Sequence, residues 1–66
     1  MFNRQKLKKW MSETNMSASV IARTFGVTDS AIRNILYGLK QPSLSMTAQF
    51  AELMGCTVDD LIVSEE

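Results

Sequence analysis

The chain has 66 residues, of which 45% are hydrophobic and 21% charged, and its formal net charge is zero. With one Cys and no His, an internal disulfide, a Cys/His zinc site and histidine-based catalysis are excluded. No apolar stretch is long enough to span a membrane, and the charged start MFNRQKLKKW does not resemble a signal peptide. We therefore expect one cytoplasmic domain over residues 1–66, not an enzyme, with no cofactor, metal or small-molecule ligand and no membrane contact.

The charges are unevenly distributed along the chain. Residues 1–40 carry seven basic and two acidic side chains, whereas residues 41–66 carry five acidic side chains and no basic one. Such a gradient predicts a basic face that meets a polyanion and an acidic face turned away from it. A solvated surface without a binding role has the same composition, so charge alone leaves both interpretations open.

The first predicted element is an amphipathic helix that begins after Asn3. Asn3 is a favourable N-cap, and Phe2 and Leu7 occupy the two positions of a hydrophobic staple. Apolar residues then recur at helical spacing through Trp10. Asn15 tolerates the left-handed conformation that ends a helix. The sequence thus predicts a helix between Asn3 and Asn15.

Two short helices with sharp ends are predicted next. Ser17 is the N-cap candidate of the second helix, and Gly26 ends it because glycine adopts a positive φ at little cost. Thr28 caps the third helix, and Asp29 suits the positive end of its dipole. Gly38 ends the third helix in the same way as Gly26 ends the second. Residues 17–37 therefore form a helix-turn-helix, with residues of about 28–37 as its second helix.

The remaining residues predict two more short helices. After a loop at Pro42, the fourth helix is expected from about Leu44 to Met54, with Leu44 facing inward. Thr57 and Asp60 then give a capping-box-like start to a short last helix that bears Val58, Leu61 and Ile62. Residues 64–66 are expected to fray. The fold class is all-α, a compact bundle of about five short helices.

These features together resemble a known family. From Leu7 to Leu61, without a gap, the chain is similar to the lambda-repressor-like, Cro/CI-type helix-turn-helix domains. The residues that carry the resemblance are Leu7, Met16-Ser17, Ile21-Ala22, Phe25-Gly26-Val27-Thr28, Ile32, Ile35, Gly38, Pro42-Ser43-Leu44, Ala51, Met54-Gly55 and Val58-Asp59-Asp60-Leu61.

The resemblance implies a binding site for double-stranded DNA, with residues 28–37 as the recognition helix. Ser17 and Thr28 would meet phosphates near helix N-termini. Arg33 can donate to guanine O6 and N7 and Asn34 can pair with adenine, whereas Asp29 accepts only from a donor such as cytosine N4. The full set of implied contact residues is Ser17, Thr28, Asp29, Ser30, Arg33, Asn34, Tyr37, Lys40, Gln41 and Ser43.

The chain also departs from the family pattern. Ala18 stands where many members have a Gln that contacts DNA, so one contact is missing. Met11 and Leu36 stand where many members have an Arg–Glu ion pair. Replacing both members of a buried ion pair by packed apolar residues is often neutral or stabilising. The second departure therefore agrees with the fold and carries no information about DNA.

Two functions follow as hypotheses. The first is a sequence-specific DNA-binding transcription regulator, similar to phage Cro/CI-type repressors, that occupies an operator as a homodimer. The alternative is an antirepressor or modulator that keeps the fold but binds a partner repressor protein. Val20, Met46 and Leu53 are more apolar than an exposed face requires, so they are the candidate partner surface, although scattered surface hydrophobes are common.

Overall fold

The computed structural model describes residues 1–63 of the chain and contains four α-helices followed by one turn of 3-10 helix. The α-helices are α1 (Arg4–Thr14), α2 (Ala18–Phe25), α3 (Asp29–Leu36) and α4 (Leu44–Met54), and the 3-10 helix spans Asp59–Leu61. The all-α class and the helix-turn-helix are therefore confirmed. The fraying expected of residues 64–66 lies outside the described residues.

The helices α1, α2 and α3 begin at the side chains that the sequence predicts as their caps, and α4 begins at Ser43, for which no capping role was predicted. Asn3 accepts a hydrogen bond from Lys6 N–H at 3.1 Å, and Ser17 accepts one from Val20 N–H at 3.2 Å. Such a cap satisfies one of the backbone donors that the first helical turn leaves without a partner, and it stabilises a helix by about 1 kcal/mol. Local sequence therefore fixes where the short helices start.

The core joins all four α-helices around Phe50 of α4. The Phe50 side chain is fully buried, and its ring lies 4.9 Å from the Phe25 ring and 5.3 Å from the Phe2 ring, centroid to centroid. The Phe25–Phe50 pair is edge-on, an arrangement that stabilises beyond the apolar area it buries. The other members of the buried apolar core are Leu7, Ile21, Ala22, Ile32, Ile35, Ala51 and Leu61.

Two apolar residues in or beside the last two elements lie at the surface, and one of them, Leu44, was expected in the core. Leu44 is 76% exposed, because it is the first residue of α4 and points away from the bundle, while Thr47 takes the buried position one turn later. Ile62 is 44% exposed, because the last element is a single 3-10 turn that ends at Leu61. The predicted inward placement of Leu44 is therefore wrong.

The two ends of the described chain pair with each other. Phe2 and Ile62 form an isolated antiparallel bridge, in which Asn3 N–H donates to the Leu61 carbonyl at 2.6 Å and Val63 N–H to the Met1 carbonyl at 2.7 Å. This pairing closes the bundle beneath Phe2 and Phe50. The sequence pattern contained no strand signal, and a two-residue bridge is too short to produce one.

The position of Asp60 shows that the expected separation of basic and acidic faces is incomplete. Reciprocal hydrogen bonds join Thr57 and Asp60, each from a backbone N–H to the other side chain at 3.2 Å, as the sequence predicted. Hydrogen bonding by Thr57 and, to a smaller extent, the positive charge of Lys6 lower the pKa of the Asp60 carboxyl. One acidic residue of the second half thus lies near the basic helix α1, not on an opposite face.

Candidate nucleic-acid interface

The turn between α2 and α3 is set by one glycine and one small buried residue. Gly26 has a φ of +71°, and the following Val27 N–H donates to the Ala22 carbonyl at 2.9 Å. Ala22 is 1% exposed, so its small side chain lies where the two helices approach each other. Because the turn is this tight, only two residues separate Gly26 from the start of α3 at Asp29, as in a helix-turn-helix.

The third helix has one buried and one exposed face. Ile32 and Ile35 lie in the core and anchor the helix. Ser30 and Arg33 are exposed on the other face, and the Arg33 side chain keeps half of its surface open to solvent. Asn34 is half-buried, and its backbone carbonyl accepts hydrogen bonds from the Leu39 and Lys40 N–H groups. The exposed face therefore offers Arg33 as its longest donor-bearing side chain.

Asp29 does not stand free at the start of α3. Its Oδ2 atom accepts a hydrogen bond of 2.7 Å from the hydroxyl of Ser19 in α2. The same oxygen lies 3.7 Å from the Arg33 guanidinium, one turn further along α3. The sequence reasoning missed Ser19, and no local signal identifies it, because the bond joins two helices across ten residues of chain.

Three hydroxyl side chains of the expected site act as helix caps. Ser17 caps α2, while Thr28 accepts from Ala31 N–H at 3.2 Å in α3 and Ser43 accepts from Met46 N–H at 3.1 Å in α4. In each case the oxygen accepts from the backbone and the hydroxyl hydrogen remains available to a phosphate. Ser17, Thr28 and Ser43 are all exposed, so capping does not remove them from contact with a ligand.

The loop after α3 is closed by backbone hydrogen bonds around Gly38. Leu39 N–H donates to the Asn34 carbonyl at 2.8 Å and Gly38 N–H to the Ile35 carbonyl at 3.2 Å, which is a Schellman ending. Gly38 has a φ of +78°, so glycine is required there. Tyr37 and Lys40 are exposed on either side of this turn.

Gln41 has a structural partner in addition to its expected role. Its Oε1 atom accepts a hydrogen bond of 2.9 Å from Phe2 N–H at the paired chain ends. An amide carbonyl oxygen cannot donate to a phosphate, whereas the Nε2 group carries two donors. The contact with Phe2 therefore uses the end of Gln41 that has no function at a phosphate.

The comparison with known families agrees with this geometry. Residues 7–61, from α1 through the 3-10 helix, match a family model described as helix-turn-helix, of the Cro/CI type. The chain belongs to this helix-turn-helix family. No curated protein and no solved structure gives a significant match. Domains of this family bind double-stranded DNA and are regulatory, not typically enzymatic, so the family indicates a DNA-binding transcription regulator.

Arg4, which lies outside the helix-turn-helix, contacts the candidate interface at Gly38. The guanidinium of Arg4, at the start of α1, lies so close to Gly38 that a Cβ atom at that position would overlap it. A cation at the carboxyl end of α3 also interacts favourably with the helix dipole. Arg4 and Gly38 lie 34 positions apart in the sequence, so the pattern of the chain did not indicate this contact.

The candidate partner surface divides in the structure. Val20 is 41% exposed on α2, whereas Met46 and Leu53 are half-buried and pack against the core. The large hydrophobic residues that are most exposed near the interface are Tyr37 at 65%, Leu39 at 71% and Leu44 at 76%. Apolar exposure is therefore greatest around the loop after α3.

Neither a metal centre nor a membrane span is found in the part of the chain that the structure describes. Within residues 1–63, His, Cys, Asp and Glu side chains form no group that could hold a metal ion. None of the helices among these residues is long and apolar enough to cross a membrane. Cys56 is half-buried and carries a free thiol.

Proposed function

We propose that the chain is a sequence-specific DNA-binding transcription regulator that inserts α3 into the major groove. The observation that carries the proposal is the division of α3 into an anchored face and an exposed face that bears Arg33. Ile32 and Ile35 hold the helix in the core. Ser30 then lies on one turn of α3 and Arg33 and Asn34 on the next, where base edges are read. Arg33 donates to O6 and N7 of a guanine in this proposal.

The groups around α3 suit the sugar-phosphate backbone. Ser17 and Thr28 place a hydroxyl beside the free N–H groups of a first helical turn, which is a favourable environment for an anion. The contact extends along the loop after α3 through Tyr37, Lys40, the amide nitrogen of Gln41 and Ser43. In the proposal these contacts set the position of the protein, and Arg33 and Asn34 read the sequence.

The proposed regulator acts as small phage Cro/CI-type repressors do, by occupying an operator. It binds as a homodimer to two half-sites about 34 Å apart, which is one turn of DNA. Occupancy alone then excludes the polymerase. The support for this mode of action is the match of residues 7–61 to the Cro/CI-type helix-turn-helix family.

Selection from a random DNA duplex library at low salt tests the proposal. The wild-type chain should enrich a two-fold related sequence, and Arg33→Ala should weaken binding to it by about 1–3 kcal/mol, the usual value of one bidentate base contact. The matched control is Arg23→Ala, which removes the same charge from an exposed position in the last turn of α2. We expect Arg23→Ala to keep the sequence preference. Equal losses in the two variants would contradict base reading by Arg33.

A second candidate rests on the zero net charge and on exposed Val20. DNA binding draws on a phosphate contribution that falls with salt by about 0.9 log unit per log unit for each neutralised phosphate. A chain with equal numbers of acidic and basic residues has little excess positive charge with which to neutralise phosphates. If the library yields no retained duplex, the protein-binding modulator takes the lead, and Val20→Glu should then break its complex with a partner repressor while Arg33→Ala leaves it intact.

A further inference from the structure

The contact between Ser19, Asp29 and Arg33 joins the two helices of the helix-turn-helix at the proposed reading site. The Asp29 carboxylate lies at the first turn of α3, directly beside the side chain proposed to read guanine. A single oxygen, Oδ2, serves both neighbours, since it accepts from the Ser19 hydroxyl at 2.7 Å and faces the Arg33 guanidinium at 3.7 Å. Ser19 is half-buried in α2 and contributes no base or phosphate contact to the proposal above.

The two halves of this contact have different strengths. The Asp29–Arg33 pair is spaced i, i+4 on an exposed helix face, where solvent screening leaves an ion pair weak. Alone, this pair leaves both side chains free to move. The Ser19 hydroxyl adds a short, charge-assisted hydrogen bond from a second helix. Ser19 therefore holds Asp29 in place, and Asp29 then presents a fixed negative charge to Arg33.

A fixed carboxylate beside a guanidinium discriminates between the two kinds of acceptor that DNA offers. Phosphate oxygens are anionic and are repelled by Asp29, whereas guanine O6 and N7 belong to a neutral base. Arg33 keeps donors that do not face Asp29, because a guanidinium has five N–H groups. The negative charge thus weakens the competing contacts of Arg33 with the sugar-phosphate backbone and spares its contact with a base.

We propose that Ser19 is a positioning residue that acts through Asp29 to direct Arg33 to guanine and away from phosphates. The inference rests on the proposed DNA-binding function and adds a determinant of its specificity. Ser19 itself touches no DNA in this arrangement. Its loss is expected to lower the ratio of specific to non-specific affinity more than it lowers overall binding.

The test uses the full chain and the duplex that the wild type enriches, with a scrambled duplex of equal length as the non-specific probe. Ser19→Ala removes the hydroxyl, Asp29→Asn removes the charge but keeps an acceptor, and Ser19→Thr keeps the hydroxyl. We expect Ser19→Ala to lower the ratio of affinities for the two duplexes by roughly three- to tenfold, the range of one net hydrogen bond. Asp29→Asn should raise affinity for the scrambled duplex, and Ser19→Thr should retain the wild-type ratio.

Two further readouts separate positioning from a structural effect. The loss caused by Ser19→Ala should be concentrated at the guanine that Arg33 reads, and it should disappear when Arg33→Ala is already present. A structural defect would weaken both duplexes equally and would show in thermal unfolding. Either that uniform weakening or an unchanged affinity ratio in Ser19→Ala and Asp29→Asn overturns the inference and leaves the proposed function standing. If the wild type enriches no sequence, the proposed function fails and the inference fails with it.

Discussion

The third helix and the paired chain ends use their polar groups in different ways. In α3 the two ends of the helix are capped by neighbouring residues, with Ala31 N–H donating to Thr28 and the carboxyl end closed by the Schellman turn, so Arg33 and its neighbours remain available to a ligand. At the chain ends the backbone groups pair with each other, and Phe2 N–H draws on the side chain of Gln41. Where backbone groups bond to neighbouring residues, the long side chains remain available for recognition. Where they bond to distant residues, a side chain such as that of Gln41 has a structural role.

Phe50 tests whether these two regions depend on one core, because its ring contacts Phe25 of the helix-turn-helix and Phe2 of the chain ends. Phe50→Ala should destabilise the fold by about 3–5 kcal/mol, since it removes a fully buried aromatic ring. In a domain this small that loss is a large fraction of the total free energy of unfolding. Chemical denaturation measures the effect, with Phe50→Leu as the milder control. Loss of one region with survival of the other would show two separate cores.

Substitution of Thr28 tests how much a local helix cap contributes to stability. Thr28→Ala should destabilise the protein by about 1 kcal/mol, because the Ala31 N–H loses its side-chain acceptor. Thr28→Ser retains the hydroxyl and should restore most of the stability. Denaturation midpoints of the three proteins provide the measurement. If alanine proves as stable as serine here, the cap does not fix the start of α3.

Substitution of Gln41 tests the long-range hydrogen bond at the chain ends. Gln41→Ala removes the acceptor of Phe2 N–H and should cost about 0.5–1.5 kcal/mol, the net value of one hydrogen bond. Amide hydrogen exchange should accelerate at Phe2, Asn3 and Val63, while the amides of α2 and α3 keep their protection relative to global unfolding. Uniform acceleration along the chain would mean that the chain ends do not open as a separate unit.

Asp60 gives the smallest expected effect, and it depends on pH. Hydrogen bonding by Thr57 and the charge of Lys6 lower the pKa of this carboxyl in the folded state. Its contribution to stability is therefore present above the ordinary pKa of an unfolded aspartate and is lost as the pH falls through the lower, folded pKa. Thermal unfolding between pH 5 and pH 2 should show a slightly shallower acid loss in Asp60→Asn. Identical acid profiles would remove Asp60 as a contributor.

The sequence predicted those features that depend on neighbouring residues. Asn3, Ser17 and Thr28 act as caps, and Gly26 and Gly38 adopt positive φ, because these conformations follow from the residue and its nearest neighbours. The burial of Ile32 and Ile35 followed from helical periodicity in the same way.

Features that depend on distant residues were not predictable from the pattern. Ser19 with Asp29, Arg4 with Gly38, and Gln41 with Phe2 are brought together only by the packing of the bundle. Leu44 fits a core pattern by composition, but its place at the first turn of α4 leaves it exposed. The sequence therefore predicts the candidate contact residues individually. The hydrogen bonds that constrain Asp29 and Gln41 are seen only in the structure.

The central claim is that the exposed face of α3 meets the bases, and an NMR titration of the isotope-labelled chain with its enriched duplex tests it most directly. The account predicts that the largest amide shift changes fall on Ser30, Arg33 and Asn34, with smaller changes at Ser17, Thr28 and Lys40. Shift changes confined to Val20 and the outer surface of α4, with the residues of α3 unaffected, would contradict it.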